Sequence, residues 1–432
     1  MKKFLASFTA LALALAMMAG CGAAPASSAA SSPAADGSST APAPAAGEVT
    51  LELYLQKTNV VDQFGEIIKM FEEKNPGIKI ELTSVPDPET ALVSRIAAKD
   101  YPDIITIWPA EKFYRDLMRD GALMDISNQA FMSQVESGPR DIAKYEGKDY
   151  SLSMTMSAFG LVVNNKIFAD NGLQKPETWE QLITTAKTLK DKGIQPFTFY
   201  GKSTEQLGQL GERMIGIINN DITTVIDKVG KGQTTWEEQP EVKQLAEALL
   251  EIHQYGQVDI LGADSDAAFN DLATGKAAMM IYGSWGIQRL QNMNPDLDIE
   301  MSPIPNPTGG KSMVPASIDT ALAISEACQN KDAALKFLEF MSTTEVAQWY
   351  ADNEKNPSII KGVNYQVAPL MSMQKKLAAG DMFFSPSVYW PAGFRKAWEA
   401  PLQALISPTG PKDVAAFAKA TQDICIEYFA SL

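Results

Sequence analysis

Histidine is nearly absent from this chain: His253 is the only one in 432 residues. That excludes a metal site built on several imidazoles, and a Ser–His–Asp arrangement would have to run through His253 alone. Cysteine is almost as scarce, with Cys21, Cys328 and Cys425 and no Cys-x-x-Cys spacing. Cys328 and Cys425 are compatible either with a disulfide in an oxidising compartment or with two buried thiols. No GxSxG, HExxH or GxxxxGKS/T motif occurs. Positive charge is the minority, 37 Lys and Arg against 52 Asp and Glu, for a formal net charge of −15. Such a chain is repelled by nucleic-acid phosphates and adheres poorly to anionic lipid. Beyond residue 18 no apolar run is long enough to span a bilayer.

What is present begins with a targeting segment. Lys2 and Lys3 form a basic start, Phe4 to Met18 is nearly unbroken apolar sequence, and Ala19-Gly20 precede Cys21. The apolar stretch is too short for a spanning helix and suits a secretory core. The small-small-Cys ending resembles the lipobox of bacterial lipoproteins, with Met18 where Leu is usual, and implies acylation of Cys21. The competing reading is an ordinary cleaved signal with a chance cysteine. Residues 22–47 are almost all Ala, Ser, Pro, Gly and Thr, with Asp36 the one charge. That composition builds no core and reads as a tether. A tether needs an anchor at its far end, which favours Cys21.

From Glu48 the pattern is α/β. Val49, Leu51, Leu53 and Leu55 alternate as a strand. Phe64, Ile67, Ile68 and Phe71 repeat at helical spacing, and Asn75-Pro76-Gly77 stops that helix. Ile78, Ile80 and Leu82 alternate again, residues 91–98 form a short helix, and Ile104 to Ile107 is a compact apolar run typical of a strand buried on both faces. Strand, helix, strand, helix, strand implies parallel strands, whose carboxyl-end loops carry the ligand site. Those loops are Gln56 to Asn59 and Trp108 to Lys112. Further on, Phe159 to Val163, Ala277 to Tyr282 and Ala321 to Ile324 read as strands. Thr178 to Gln181 is a capping box opening a helix. Val242 to His253 and the Ala334–Met341 face read as two more helices.

Five stretches carry a resemblance. Phe71 to Ile80 holds an NPG turn between helix and strand. Tyr101 to Ile105 holds a Pro-Asp-apolar strand. Tyr145 to Lys148, Asn164 to Phe168 and Pro176 to Trp179 form a mid-chain signature. Gly275 to Met279 is followed by Gly283-Ser284-Trp285, and Asn330 to Ala334 leads into Phe337-Leu338. In this order the chain resembles the extracellular solute-binding proteins of ABC importers, in the branch that includes the maltodextrin-binding proteins. The resemblance implies a periplasmic-binding-protein-like type II fold, two α/β lobes joined by a multi-segment hinge. Residues 48–155 and 318–346 would form the first lobe, 156–317 and 347–432 the second. Residues 1–20 would be the signal and 21–47 the tether. Chain crossings are expected near Leu152 to Ala158, near Pro315 to Thr320 and again near residue 346.

The same resemblance implies site residues: Trp108, Trp285 and Trp390 as stacking rings, Glu111 and Lys112 as hydroxyl ligands, and Lys57 and Asn59 in the polar loop after the first strand. Asp319 lies in the expected hinge loop and joins them as a candidate. Two departures stand out. Ala158 replaces a family glutamate, and Ser284 replaces a proline. A sugar presents an apolar C–H face and a belt of hydroxyls. Indole planes suit the first and planar carboxylates and amides the second. Burying about 80 Å² in one stack contributes about 2 kcal/mol at about 25 cal/mol per Å². Trp179, Trp236, Trp349 and Trp398 are expected to pack, His253 to be structural, and Tyr282 to support or touch the ligand. The implied role is a lipid-anchored, extracytoplasmic carbohydrate-binding monomer that serves ABC importer permease subunits. It would need no cofactor, metal or nucleic acid. A non-sugar solute, a chemoreceptor ligand donor or a secreted glycoside hydrolase, which needs only two carboxylates, are the alternatives.

Overall fold

The computed structural model describes residues 48–391 and 393–429. The signal segment, the tether and the acylation assigned to Cys21 lie outside the described residues. Nine strands are seen among them: β1 (Val49–Tyr54), β2 (Ile78–Thr83), β3 (Ile104–Ile107), β4 (Leu152–Asn164), β5 (Gln195–Phe197), β6 (Ala277–Gly283), β7 (Ile299–Ser302), β8 (Val314–Ile324) and β9 (Met382–Phe384). They form one hydrogen-bonded path, β2-β1-β3-β8-β4-β6-β5, with β7 on β4 and β9 on β8.

β1 lies parallel between β2 and β3, as the strand-helix alternation predicts. β8 runs antiparallel to β3 and carries the sheet across to β4. The first half of β4 pairs with β8, from Leu152 opposite Leu322 to Ala158 opposite Ala316. Its second half pairs with β6 and β7, from Phe159 opposite Gly283 onward. One strand therefore belongs to both halves. All 13 of its residues are buried, so it shows no alternation, and only its Phe159–Val163 run is legible in the sequence. β8 likewise extends well before the expected Ala321–Ile324 run.

Two main cores flank this crossing. One gathers β1, β2 and β3 with the helices Val61–Lys74, Lys331–Met341 and Thr344–Glu354, and Phe71 meets Phe337 edge-on at 5.1 Å. The other packs the helices Trp179–Asp191, Thr204–Ile218, Glu241–His253, Phe394–Ile406 and Val414–Phe429 against β4 and β6. The capping box forms in both directions: the Gln181 N–H donates to Thr178 Oγ1 and the Thr178 N–H to Gln181 Oε1, each at 3.2 Å. Cys328 sits in the first core and Cys425 in the second, both as free thiols.

The third crossing needs correction. The helix Thr344–Glu354 packs on Val61–Lys74, with Tyr350 edge-on to Phe64 at 5.6 Å. It packs in the first core, and the chain is still in that core at Ile359 and Ile360, well past residue 346. The Val346, Ala347 and Tyr350 side chains, all in the first core, are what hold it there.

Candidate functional site

Loops at the carboxyl ends of β1 and β3 build one wall. Gln56, just past β1, uses its backbone N–H to bond Thr106 Oγ1 at 2.8 Å and its side-chain amide to bond the Thr106 carbonyl. Tyr114 donates to Gln56 Oε1 at 3.0 Å. These bonds fix the two loops to each other. Trp108 lies half-buried with its ring 6.1 Å from Tyr114. The Glu111 N–H closes a turn on the Trp108 carbonyl at 2.9 Å, and Glu111 then precedes the helix Lys112–Arg119.

The second wall comes from β6 and from the helix Thr204–Ile218. β6 ends at Gly283, and a Cβ there would fall 2.1 Å from the Trp285 ring. A Cβ on Gly286 would meet Tyr282 at 2.6 Å. Glycine on both sides lets the Trp285 indole fold back against Tyr282, 5.4 Å away, and Phe159, 6.3 Å away. The Arg213 guanidinium lies over both Phe159 and Trp285, at 4.8 and 5.8 Å from the ring centroids. Its neighbour Glu212 is fully buried and shared: Ser387 Oγ donates to it at 2.7 Å, Arg213 pairs with it at 3.3 Å and Arg395 at 3.5 Å.

The two walls feel each other. Burial lifts the Glu111 carboxyl to about 7, against the pull of Arg395 and, more weakly, of Arg213 in the opposite lobe. Glu89 and Glu212 add to the rise. Its surface is still partly open to water, so the group is crowded but not sealed in a core. Burial depresses the Arg213 guanidinium. Burial also acts against the charge of Arg395, but Glu212 and Glu111 outweigh it and raise its pKa. Rings for an apolar face thus stand beside donors and acceptors for hydroxyls.

Trp108, Glu111 and Trp285 are partly exposed and follow the ends of β3 and β6. The other expected residues need correction or relocation. Trp390 is 3% exposed and belongs to the second core, edge-on to Phe394 at 4.8 Å and to Trp398 at 5.8 Å. The apolar partners downstream draw the ring inward, and the neighbouring Tyr389 is left 54% exposed. Lys57 is 7% exposed, its ammonium held by Asp319 and Glu354, with Thr320 Oγ1 at 3.3 Å. Burial pulls the Lys57 pKa down, and the two carboxylates more than reverse it. Lys57 and Asp319 are therefore joined in the hinge, with no free ammonium left for a ligand. Lys112 faces outward, paired with Asp116 at 2.7 Å. Asn59 lies exposed on the rim, in the turn Thr58–Val60.

Glu212, Arg213 and Arg395 escape the sequence reading. The visible signal was a Glu-Arg pair placed among Leu210, Met214 and Ile215 in a helix buried on nearly every side. His253 is structural: its Nδ1 lies 2.6 Å from the Leu249 carbonyl, its ring stacks on Phe199 at 4.4 Å, and burial lowers its pKa to about 4. Trp179 Nε1 donates to Glu251 at 2.7 Å, and Trp236 and Trp398 are buried. No helix among the described residues is long and apolar enough to cross a membrane.

Comparison with known proteins identifies the family and the fold. The family model described as bacterial extracellular solute-binding protein matches residues 57–348. The multiple sugar-binding protein of Streptococcus mutans is 27% identical over 348 residues, 78% of this chain and 81% of that protein. The melibiose/raffinose/stachyose-binding protein MelE of Bacillus subtilis is 23% identical over 71% of this chain and 72% of its own length. Among solved structures, RafE in complex with raffinose superposes with a TM-score of 0.78 at 24% identity, covering 88% of this chain and all of that one.

Proposed function

This chain belongs to the bacterial extracellular solute-binding proteins, with the type II periplasmic-binding-protein fold, and from that premise we propose that it is the lipid-anchored sugar-binding subunit of an ABC importer and not an enzyme. The observation that carries the reading is the pair of facing walls: Trp108 and Glu111 on one lobe, Arg213 and Trp285 on the other, with Glu111 in the field of Arg395 and Arg213. Neither wall encloses a ligand alone. A saccharide joins them, because its hydroxyls satisfy Glu111 and Arg213 together while a ring face lies on an indole. Contacts that exist only with the cleft shut shift the hinge toward closure. The closed pair of lobes is the surface offered to the permease.

The walls mix two arginines with Glu212 and with a Glu111 raised to about 7, a set that donates to and accepts from the hydroxyls of a neutral sugar. Relatives named for raffinose, stachyose and melibiose support an oligosaccharide of that kind. The protein acts as a monomer outside the cytoplasmic membrane, held there through Cys21.

Calorimetry with raffinose, stachyose and melibiose tests this. The expected result is binding with Kd near about 1 μM, about −8 kcal/mol, weakened at least about tenfold in Trp285→Ala by loss of about 2 kcal/mol of stacking. No binding of any of these sugars, or unchanged affinity in a folded Trp285→Ala, would refute it.

A further inference from the structure

Trp285 is bracketed by two hydrogen bonds that cross between the lobes. Before it, Ser284 Oγ donates to Asn356 Oδ1 at 2.5 Å and accepts from the Ala158 N–H at 3.1 Å. After it, Gln288 Nε2 donates to the Asn353 carbonyl at 2.7 Å. Ser284 and Gln288 follow β6, which pairs with the second half of β4. Asn353 lies in the last turn of the first-lobe helix Thr344–Glu354, and Asn356 follows two residues after that helix, before Ile359 and Ile360 rejoin the first core.

Asn356 is fully buried and is itself tied to the hinge ions. Its amide donates to Asp319 Oδ2 at 2.7 Å and to Glu354 Oε1 at 3.3 Å. Both of those carboxylates hold Lys57, which enters from the end of β1. An unbroken polar chain therefore runs from Lys57 of the first lobe, through Asp319, Glu354 and Asn356, to the residue before Trp285. Buried polar groups in such a chain keep their partners or are left unsatisfied at a cost, so the chain moves as a unit or breaks at one bond.

We propose that Ser284 and Gln288 are positioning residues that fasten the Trp285 platform to the first-lobe segment Asn353 to Asn356, so that hinge angle and presentation of the indole change together. The proposal rests on the cleft reading above for its ligand, but the hinge arm of its test needs no sugar. Ser284 stands where a proline would have no hydroxyl to offer, which makes the coupling a property of this chain.

The test uses the full chain with spin labels at Ser94→Cys in the first lobe and Lys187→Cys in the second, both exposed. Interlobe distances are measured without ligand and with raffinose, in Ser284→Ala, Gln288→Ala and the double variant. The expected result is a shifted or broadened unliganded distance distribution. The raffinose Kd should rise about three- to tenfold per bond lost, carried by faster dissociation. Ser284→Thr, which keeps the hydroxyl, should restore both. Gln288→Ala lies at a half-buried position and decides the matter if Ser284→Ala fails to fold. Variants that change melting temperature alone, with wild-type distances, would overturn the proposal. If the wild type binds no saccharide while distances still respond, the sugar reading fails and the hinge coupling stands.

Discussion

Replacing Glu354 with glutamine tests the physics of the hinge cluster directly. Glu354 is buried with one cation, Lys57, and a second carboxylate, Asp319, beside it. Its Oε2 has no hydrogen-bond partner among the described residues. Burial raises its pKa from 4.5 to about 7, opposed by Lys57 and reinforced by Asp319. A raised acid binds its proton more tightly in the folded state. Its stabilising contribution is full below the unfolded value and is lost as pH rises through about 7. At about 1.4 kcal/mol per unit, the loss approaches about 3 kcal/mol. Glutamine keeps the shape and the Oε1 acceptor and does not titrate. Urea unfolding of wild type and Glu354→Gln at about pH 5 and about pH 8 reports on this cluster, since titrations remote from it cancel in the difference. The variant should gain on the wild type by up to about 3 kcal/mol at the higher pH. A variant that instead loses stability at the higher pH would show that the ionised carboxylate is the form Lys57 requires, and would refute the reasoning.

Three further outcomes follow from the geometry. Trp390→Ala should cost about 3–5 kcal/mol of stability, as for any large buried ring, visible in thermal melts; a fully stable variant that binds no sugar would return Trp390 to the cleft. Glu111 takes up a proton when the cleft surrounds it, because burial raises its pKa to about 7 and opening restores water. Raffinose affinity should therefore tighten as pH falls through that value, and Glu111→Gln should flatten the profile in calorimetry. Cys21→Ala should move the protein from the membrane to the soluble fraction, and persistence at the membrane would rule out the anchor.

The first lobe was legible because its strands alternate and its helices repeat at about 3.6 residues. β4 was not, since a strand buried along its whole length has no polar face to set a period. Trp108, Glu111 and Trp285 stand out in the sequence because they follow apolar strands, where open sheets place ligands. Trp390 looked similar, but no local pattern records that Phe394 and Trp398 turn back over it. Lys57 was misplaced for another reason. Its partners Asp319 and Glu354 are remote in sequence, and no window spans that distance. Arg213 was hidden inside a helix whose apolar neighbours made the whole segment read as core.

The sharing of β4 and β8 between lobes governs how the chain can mature. Leu152 pairs with Leu322, so neither half can finish its sheet until nearly three quarters of the polypeptide has been synthesised. Contacts this remote make acquisition of structure slow. A nascent polypeptide that waits this long for its sheet partner stays loose through most of its synthesis.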